Sequence, residues 1–419
     1  MAYLNWFVSA LLGFVGGWFL VFYLTADPIK IARALLLTAV PLFLLLWLAV
    51  SQFQGAALAG AAGVGIVGLL LGYAANTSRV LRRADDRYVP ELTRAVGDPG
   101  DGHTGVIYFT HGEPETYDPI GWLNQFREFD NQGIAFVPFL ARPFFLKRLR
   151  DAYLKVGSSQ HRRRHFDMAV AVEKSLIAGG YNNVRVYPSF LDDDPGPDAA
   201  LITALNDGAS HIVVAEVFVS ISNHTAEGKE LMRAVDTEAL GVPVSFAGPL
   251  WDSITLHQMF VDKVESERGS LPRGEVAVLL VGHGQPDEWD LEWPTETEHE
   301  LGLREGIIAA LVAVGYDRRL LDLAWMEFKE PKATERAGQL ASSGAKKIIY
   351  FSAGISAESI HSQYDVPKLV AKARIDERVD VVNLGAWNNH PLTIRAISER
   401  VESLLTPSAR ASAGVTSDE

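Results

Sequence analysis

The sequence predicts an α/β protein: two similar lobes, each a parallel sheet with helices on both faces, preceded by an all-α segment of three transmembrane helices. Three observations predict it. Apolar residues crowd the first part of the chain. Beyond them, β-like apolar runs alternate with helix-like stretches, the signature of a parallel sheet covered on both faces. That alternation then repeats itself in the same order. The chain has 419 residues, too many for one core of ordinary size. It has no cysteine, which excludes disulfides, thiolate zinc sites and iron–sulfur clusters held on cysteine. A formal net charge of -13 argues against nucleic acid as a partner, because phosphate binding needs clustered Lys and Arg.

Three apolar runs come first: Leu4 to Leu24, Ala34 to Val50 and Ala56 to Ala75. Each is near the roughly 20 residues that cross a bilayer core. None carries Asp, Glu, Lys or Arg. Trp6, Trp18 and Tyr23 stand towards the ends of the first run, as interfacial aromatics do. A signal peptide fits that run poorly, since no basic stretch precedes it. The third run is glycine-rich, which permits close helix packing in lipid. Lys30 and Arg33 follow the first run, and Arg79, Arg82, Arg83 and Arg87 follow the third. With three crossings and an outside N-terminus, both basic stretches fall on the cytoplasmic side. The expected location is therefore the inner (cytoplasmic) membrane, multi-pass, with the soluble lobes facing the cytoplasm. Pro41 leaves a re-entrant second run as the alternative.

The expected division is a three-helix anchor over 1–80, a linker over 81–104, a first lobe over 105–268, a second lobe with the main site over 269–405 and a disordered tail over 406–419. The duplication rests on ordered matches. Gly105 to Thr110 leads into His111-Gly-Glu-Pro114, and Val276 to Gly282 leads into His283-Gly-Gln-Pro286. Gly180-Tyr181 precedes Val184 to Phe190, as Gly315-Tyr316 precedes Leu320 to Phe328. Asp207-Gly-Ala209 precedes Ile212 to Phe218, as Ser343-Gly-Ala345 precedes Ile348 to Ser352. Phe246 to Trp251 echoes Leu384 to Trp387.

In open parallel sheets, ligands bind beyond the carboxyl ends of the strands. Both His-Gly-x-Pro motifs fall there, where glycine and proline force the chain off the strand. In the second lobe, His283, Glu327 and His361 all follow strands. Two imidazoles and a carboxylate can hold a divalent metal with an open position, and imidazoles take up protons at neutral pH. The bland alternatives are a strand-ending turn for His-Gly, a solvated acid for Glu327 and an ordinary helix residue for His361. In the first lobe Phe190 is set against Glu327, and His111 with His224 reads as a decayed or substrate-lining half. His161 and His165, in the basic stretch Gln160 to His165, read as a solvated helix face that could attract substrate carboxylates.

Val281-Gly-His-Gly-Gln-Pro286 resembles the second-lobe histidine motif of ferrochelatases and sirohydrochlorin chelatases. Gly354 to Asp365 resembles the ferrochelatase stretch carrying the other catalytic side chain, with His361 where ferrochelatases have glutamate and sirohydrochlorin and cobalt chelatases have histidine. Trp325-Met-Glu327 falls where both groups keep site residues. Phe144 to Leu176 resembles the ferrochelatase insertion that lines the porphyrin cleft, without an intact Gly-Gly-x-Ser-Pro. The resemblance covers about Gly105 to Leu405. It implies insertion of a divalent metal, Fe2+ first and Co2+ or Ni2+ next, into a porphyrin or sirohydrochlorin without a nucleotide, in bacterial porphyrin and heme biosynthesis. It also implies His283, His361 and Glu327 as metal ligands and catalytic groups, with His111, Trp325, Glu358, Tyr364, Asp365 and Tyr153 against the substrate. Tetrapyrrole and lipid bilayer are the expected partners, with a homo-oligomer or a membrane-complex partner compatible. The competing reading is a non-catalytic tetrapyrrole or metal carrier of the same fold, or a membrane-complex subunit.

Overall fold

A computed structural model describes residues 2–52, 55–83, 87–131, 133–134 and 136–405. The tail expected to be disordered, 406–419, lies outside them. The chain forms two compact units: Met1–Asp86 with Thr116–Ser158, and Arg87–Glu115 with Ser159–Glu419.

Among the described residues, every regular element of the first unit is a helix. Helices α1 (Ala2–Thr25), α2 (Ile31–Gln52) and α3 (Gly55–Leu81) are long and apolar enough to cross a membrane by length and composition, over Tyr3–Thr25, Pro28–Ser51 and Leu58–Leu81. Pro41 sits inside α2 without ending it. Helices α1 and α3 approach backbone to backbone: a Cβ at Gly17 would strike the Leu69 carbonyl, and one at Gly72 the Phe14 carbonyl. Helices α4 (Ile120–Asn131) and α5 (Arg142–Val156) complete the unit. Arg150 of α5 is 1 % exposed and donates to the carbonyls of Tyr23 and Ala26 at 2.6 and 3.0 Å, satisfying acceptors around the end of α1. Sequence reasoning put 105–268 in one lobe; by contact, 116–158 groups instead with the N-terminal helices.

The second unit holds two sheets of one topology. Strands β1 (Thr104–Thr110), β2 (Val184–Phe190), β3 (His211–Glu216) and β4 (Val244–Phe246) run in the order β2-β1-β3-β4, all parallel. Strands β5 (Val276–Gly282), β6 (Leu321–Trp325), β7 (Lys347–Ser352) and β8 (Asp380–Gly385) run in the order β6-β5-β7-β8, again parallel. β1 and β5 are buried at every position, as strands covered by helices on both faces must be. The expected linker is anchored over its second half, where Asn206 accepts from the Thr93 amide at 2.8 Å and donates to the Glu91 carbonyl at 2.9 Å.

Helices α6 (His161–Ala178), α7 (Pro197–Asn206), α8 (Asn223–Arg233) and α9 (Ile254–Arg268) follow in the first repeat; α10 (Asp287–Glu292), α11 (Pro294–Ala313), α12 (Ala333–Ser342), α13 (Val366–Ala371) and α14 (Pro391–Glu402) follow in the second. Two of them cross over. α9 packs on α11 and β7, and α14 packs on α6, β3 and α9. One apolar core therefore runs between the repeats, taking Val106, Val172 and Val213 together with Leu280, Ile349, Trp387 and Ile397.

Candidate active site

Each His-Gly motif builds the same local device at the end of its central strand. Gly112 and Gly284 have φ of 104° and 82°, a left-handed conformation that glycine adopts without strain. The turn lays the glycine carbonyl against the preceding ring, so Nδ1–H donates to it: 2.9 Å from His111 to Gly112 and 2.8 Å from His283 to Gly284. In the neutral ring that leaves Nε2 with its lone pair free. A Cβ at Gly284 would also meet the Glu327 carbonyl at 2.7 Å, so glycine lets the Glu327 loop close on the motif.

A second histidine stands beside each of these. The His283 and His361 rings are edge to face with centroids 5.4 Å apart; those of His111 and His224 are likewise edge to face at 4.7 Å. His224 is placed by the N-terminus of α8, where Ser222 and Thr225 form a reciprocal cap. His361 opens a π-turn, His361–Asp365, in which its Nδ1 lies 2.9 Å from Asp365 Oδ2. The carboxylates also correspond. The Glu327 amide donates to the His283 carbonyl at 3.1 Å, and the Asp192 amide to the His111 carbonyl at 2.9 Å. The sequence alignment that set Phe190 against Glu327 is therefore displaced by two residues. Phe190 pairs with Thr110 as Trp325 pairs with Gly282, and Asp192 is the counterpart of Glu327. The first lobe is not stripped of its set: His111, Asp192 and His224 match His283, Glu327 and His361.

Electrostatics makes the two second-lobe imidazoles unequal. Burial and the neighbouring His361 charge push His283 down, against Glu327, Glu300 and the Gly284 bond. For His361 burial also acts downward, but the bond and charge of Asp365, with Glu327 and Glu113, hold it up to about 9. Near neutral pH the pair is thus a neutral acceptor beside an imidazolium. Among the described residues, no group of three or more His, Asp or Glu side chains is arranged to hold a metal ion. His283, His361 and Glu327 thus share a neighbourhood rather than a preformed cage.

The remaining expected site residues fall differently. Trp325 is buried with the Arg304 guanidinium 3.8 Å over its ring; Arg304 also donates to the Ala324 carbonyl at 2.7 Å. Glu300, paired with Arg304, accepts from the His283 amide at 3.2 Å. Glu358 accepts from the Ala386 amide, Asn388 Nδ2 and Ser362 Oγ at 3.1, 3.0 and 2.6 Å, which ties the π-turn to β8. Tyr364 carries Lys368 over its ring at 5.1 Å. Tyr153 belongs to the helical unit, where its ring meets Tyr117 edge-on at 6.2 Å.

Sequence reasoning missed three residues. His161 and His165 are 5 % and 0 % exposed, not a solvated face. α6 turns His161, His165, Met168, Val172 and Leu176 inward while its arginines lie on the other faces, and that helical spacing was the available signal. His165 lies 2.8 Å from Tyr108 Oη and 3.2 Å from Ser356 Oγ. Burial, then the His111 charge, pushes it down to about 3. Burial likewise pushes His161 well down, helped by His165, His111 and His361. The third is Glu113, inside the first His-Gly-x-Pro motif. Its carboxylate accepts from the Ile360 amide at 2.9 Å, across to the other lobe.

A family model described as ferrochelatase matches residues 103–405. A search of curated proteins finds no match. Among solved structures, the chain is similar to SirB from Bacillus subtilis with Fe3+, at 14% identity over 74% of this chain and 96% of that one, with a TM-score of 0.48. It is similar to CbiX, the terminal enzyme for biosynthesis of siroheme in denitrifying bacteria, at 13% identity over 73% and 100%, TM-score 0.43. The sirohydrochlorin chelatase SirB from Bacillus subtilis subspecies spizizenii in complex with cobalt gives 12% identity over 72% and 94%, TM-score 0.44. With its family model spanning both lobes, the chain belongs to the ferrochelatase family.

Proposed function

We propose that this protein inserts a divalent metal into a tetrapyrrole, with the second lobe carrying the chemistry. The observation that carries the reading is the edge-to-face His283–His361 pair beside Glu327, with burial pushing His283 down and Asp365 holding His361 up. The overall step is M2+ plus a macrocycle with two pyrrole N–H groups, giving the metallated macrocycle and two protons. His283, with Nε2 free, takes the incoming metal or the first pyrrole proton. Glu327 offsets the cation's charge. His361 releases its Nε2 proton to solvent as the metal charge arrives, because a ligating imidazole must be deprotonated, and takes one back when the metal passes to the macrocycle, so that two protons are released per turnover. Fe2+ is the first candidate metal, with Co2+ and Ni2+ next, and the substrate is a porphyrin or sirohydrochlorin. His111, Tyr364, Asp365, Trp325 and Glu358 stand as proposed substrate-side residues. The three apolar helices are proposed to cross the inner membrane, which would place the enzyme beside an apolar product held in lipid.

The test is absorbance-monitored insertion of Fe2+, Co2+ and Ni2+ into protoporphyrin, coproporphyrin and sirohydrochlorin by the full chain in detergent. His283→Ala is expected to reduce kcat by about a hundredfold or more, as removal of a general base and ligand does. Turnover unchanged in His283→Ala would remove the assignment. Tight macrocycle binding without turnover in the wild type would favour the carrier reading.

A further inference from the structure

The geometry points to Glu113 of the first lobe as a positioning residue for His361 of the second, so that the insertion site is assembled by both lobes; this rests on the insertion reading above. The two repeats differ at this position in a way the duplication does not require. Gln285, the counterpart of Glu113, stays in its own lobe and donates to Asp290 and the Trp293 carbonyl at 2.6 and 2.8 Å. Glu113 leaves its lobe. Its Oε1 accepts the Ile360 amide at 2.9 Å, and Ser159 supplies a second hydrogen bond. Ile360 immediately precedes His361 and opens its helix, so its N–H belongs to the first turn and has no partner within the helix. The carboxylate fills that vacancy and fixes where the π-turn begins, and therefore where the His361 ring is presented.

Glu113 does not act alone. The Gln160 amide donates to Gln363 Oε1 at 3.3 Å, and Ser356 Oγ meets His165 Nε2 at 3.2 Å. The start of α6 is thus joined to the middle of the π-turn and to the loop ahead of it, while Glu113 holds the residue just before its first. From within the second lobe, Glu358 holds the same turn through Ser362. His361 is gripped from two sides, and only one grip belongs to its own lobe.

The test compares the full chain in detergent with Glu113→Ala and Glu113→Gln. Steady-state insertion is measured together with amide hydrogen exchange over residues 356–365. Glu113→Ala is expected to lower kcat by about tenfold or more with KM for metal and macrocycle changed by less than about twofold, the mark of lost orientation rather than lost binding. Glu113→Gln, whose amide oxygen still accepts from Ile360, is expected to stay within about threefold of wild type. Exchange over 356–365 should speed up in the alanine variant and not in the glutamine variant. Wild-type kcat in Glu113→Ala, equal loss in both variants, or unchanged exchange in Glu113→Ala would each overturn the assignment. Should the wild type insert no metal, the insertion reading fails by itself, and the exchange comparison still judges the Glu113 contact.

Discussion

At the scale of single residues, the candidate site is defined by histidines whose neighbours decide which of them can carry a proton. Asp365 keeps His361 cationic, while burial keeps His165 neutral. The His165 value has a consequence for stability. The folded protein holds the ring neutral down to about 3, whereas the unfolded chain takes up a proton near the ordinary 6.5. Between those limits the unfolded state binds more protons, so stability is full above about 6.5 and falls as pH drops towards 3, by up to about 1.4 kcal/mol per unit for this group. Urea midpoints measured at pH 7 and pH 5 should separate by less in His165→Gln than in wild type. The histidines of the two His-Gly motifs were legible in the sequence because the motif occurs twice. Asp192 was not, because its match to Glu327 depends on strand register, and the strand of the second repeat ends at Trp325, two residues short of the carboxylate. His161 and His165 were misread because three arginines between them suggested water, while the helix turns those arginines away.

At the scale of elements, positions are held by close approaches that substitution will not tolerate. Trp387 is fully buried, and its indole N–H donates to the Ala353 carbonyl at 2.8 Å, fastening the end of β8 to the loop that leads into the π-turn. Trp387→Ala removes both packing and bond and is expected to cost about 3–5 kcal/mol, read as a lower melting temperature. In α8, a Cβ at Gly228 would enter the Phe109 ring. Gly228→Ala should therefore displace the helix that presents His224 and destabilise the fold by about 1–3 kcal/mol, measured by denaturant unfolding. The strands were legible because fully buried parallel strands read as continuous apolar runs, as in Val276–Gly282. The π-turn was not: His361 to Asp365 has the composition of an ordinary helix start, and its extra residue is set by contacts from Glu358 and Glu113 that no local pattern announces.

At the scale of the whole chain, the order of segments and the order of packing part company. The duplication was visible as repeated motifs and appears as two sheets of identical strand order. The exchange of helices between repeats was not visible, because an amphipathic helix records that one face is buried and not which partner buries it. The absence of cysteine makes topology easy to measure. A single cysteine placed at the exposed Glu377 is expected to resist an impermeant maleimide in right-side-out vesicles and to react once they are opened, if the lobes face the cytoplasm. The crossing of α14 also sets a schedule for synthesis. The first lobe's sheet and α6 leave the ribosome well before the helix that packs on them, Pro391–Glu402. The nascent first lobe must therefore wait, with an apolar face open, until that helix has emerged. A chain stopped before Pro391 would forfeit the cover of its earlier half, so C-terminal truncation should injure the N-terminal lobe as directly as the one it shortens.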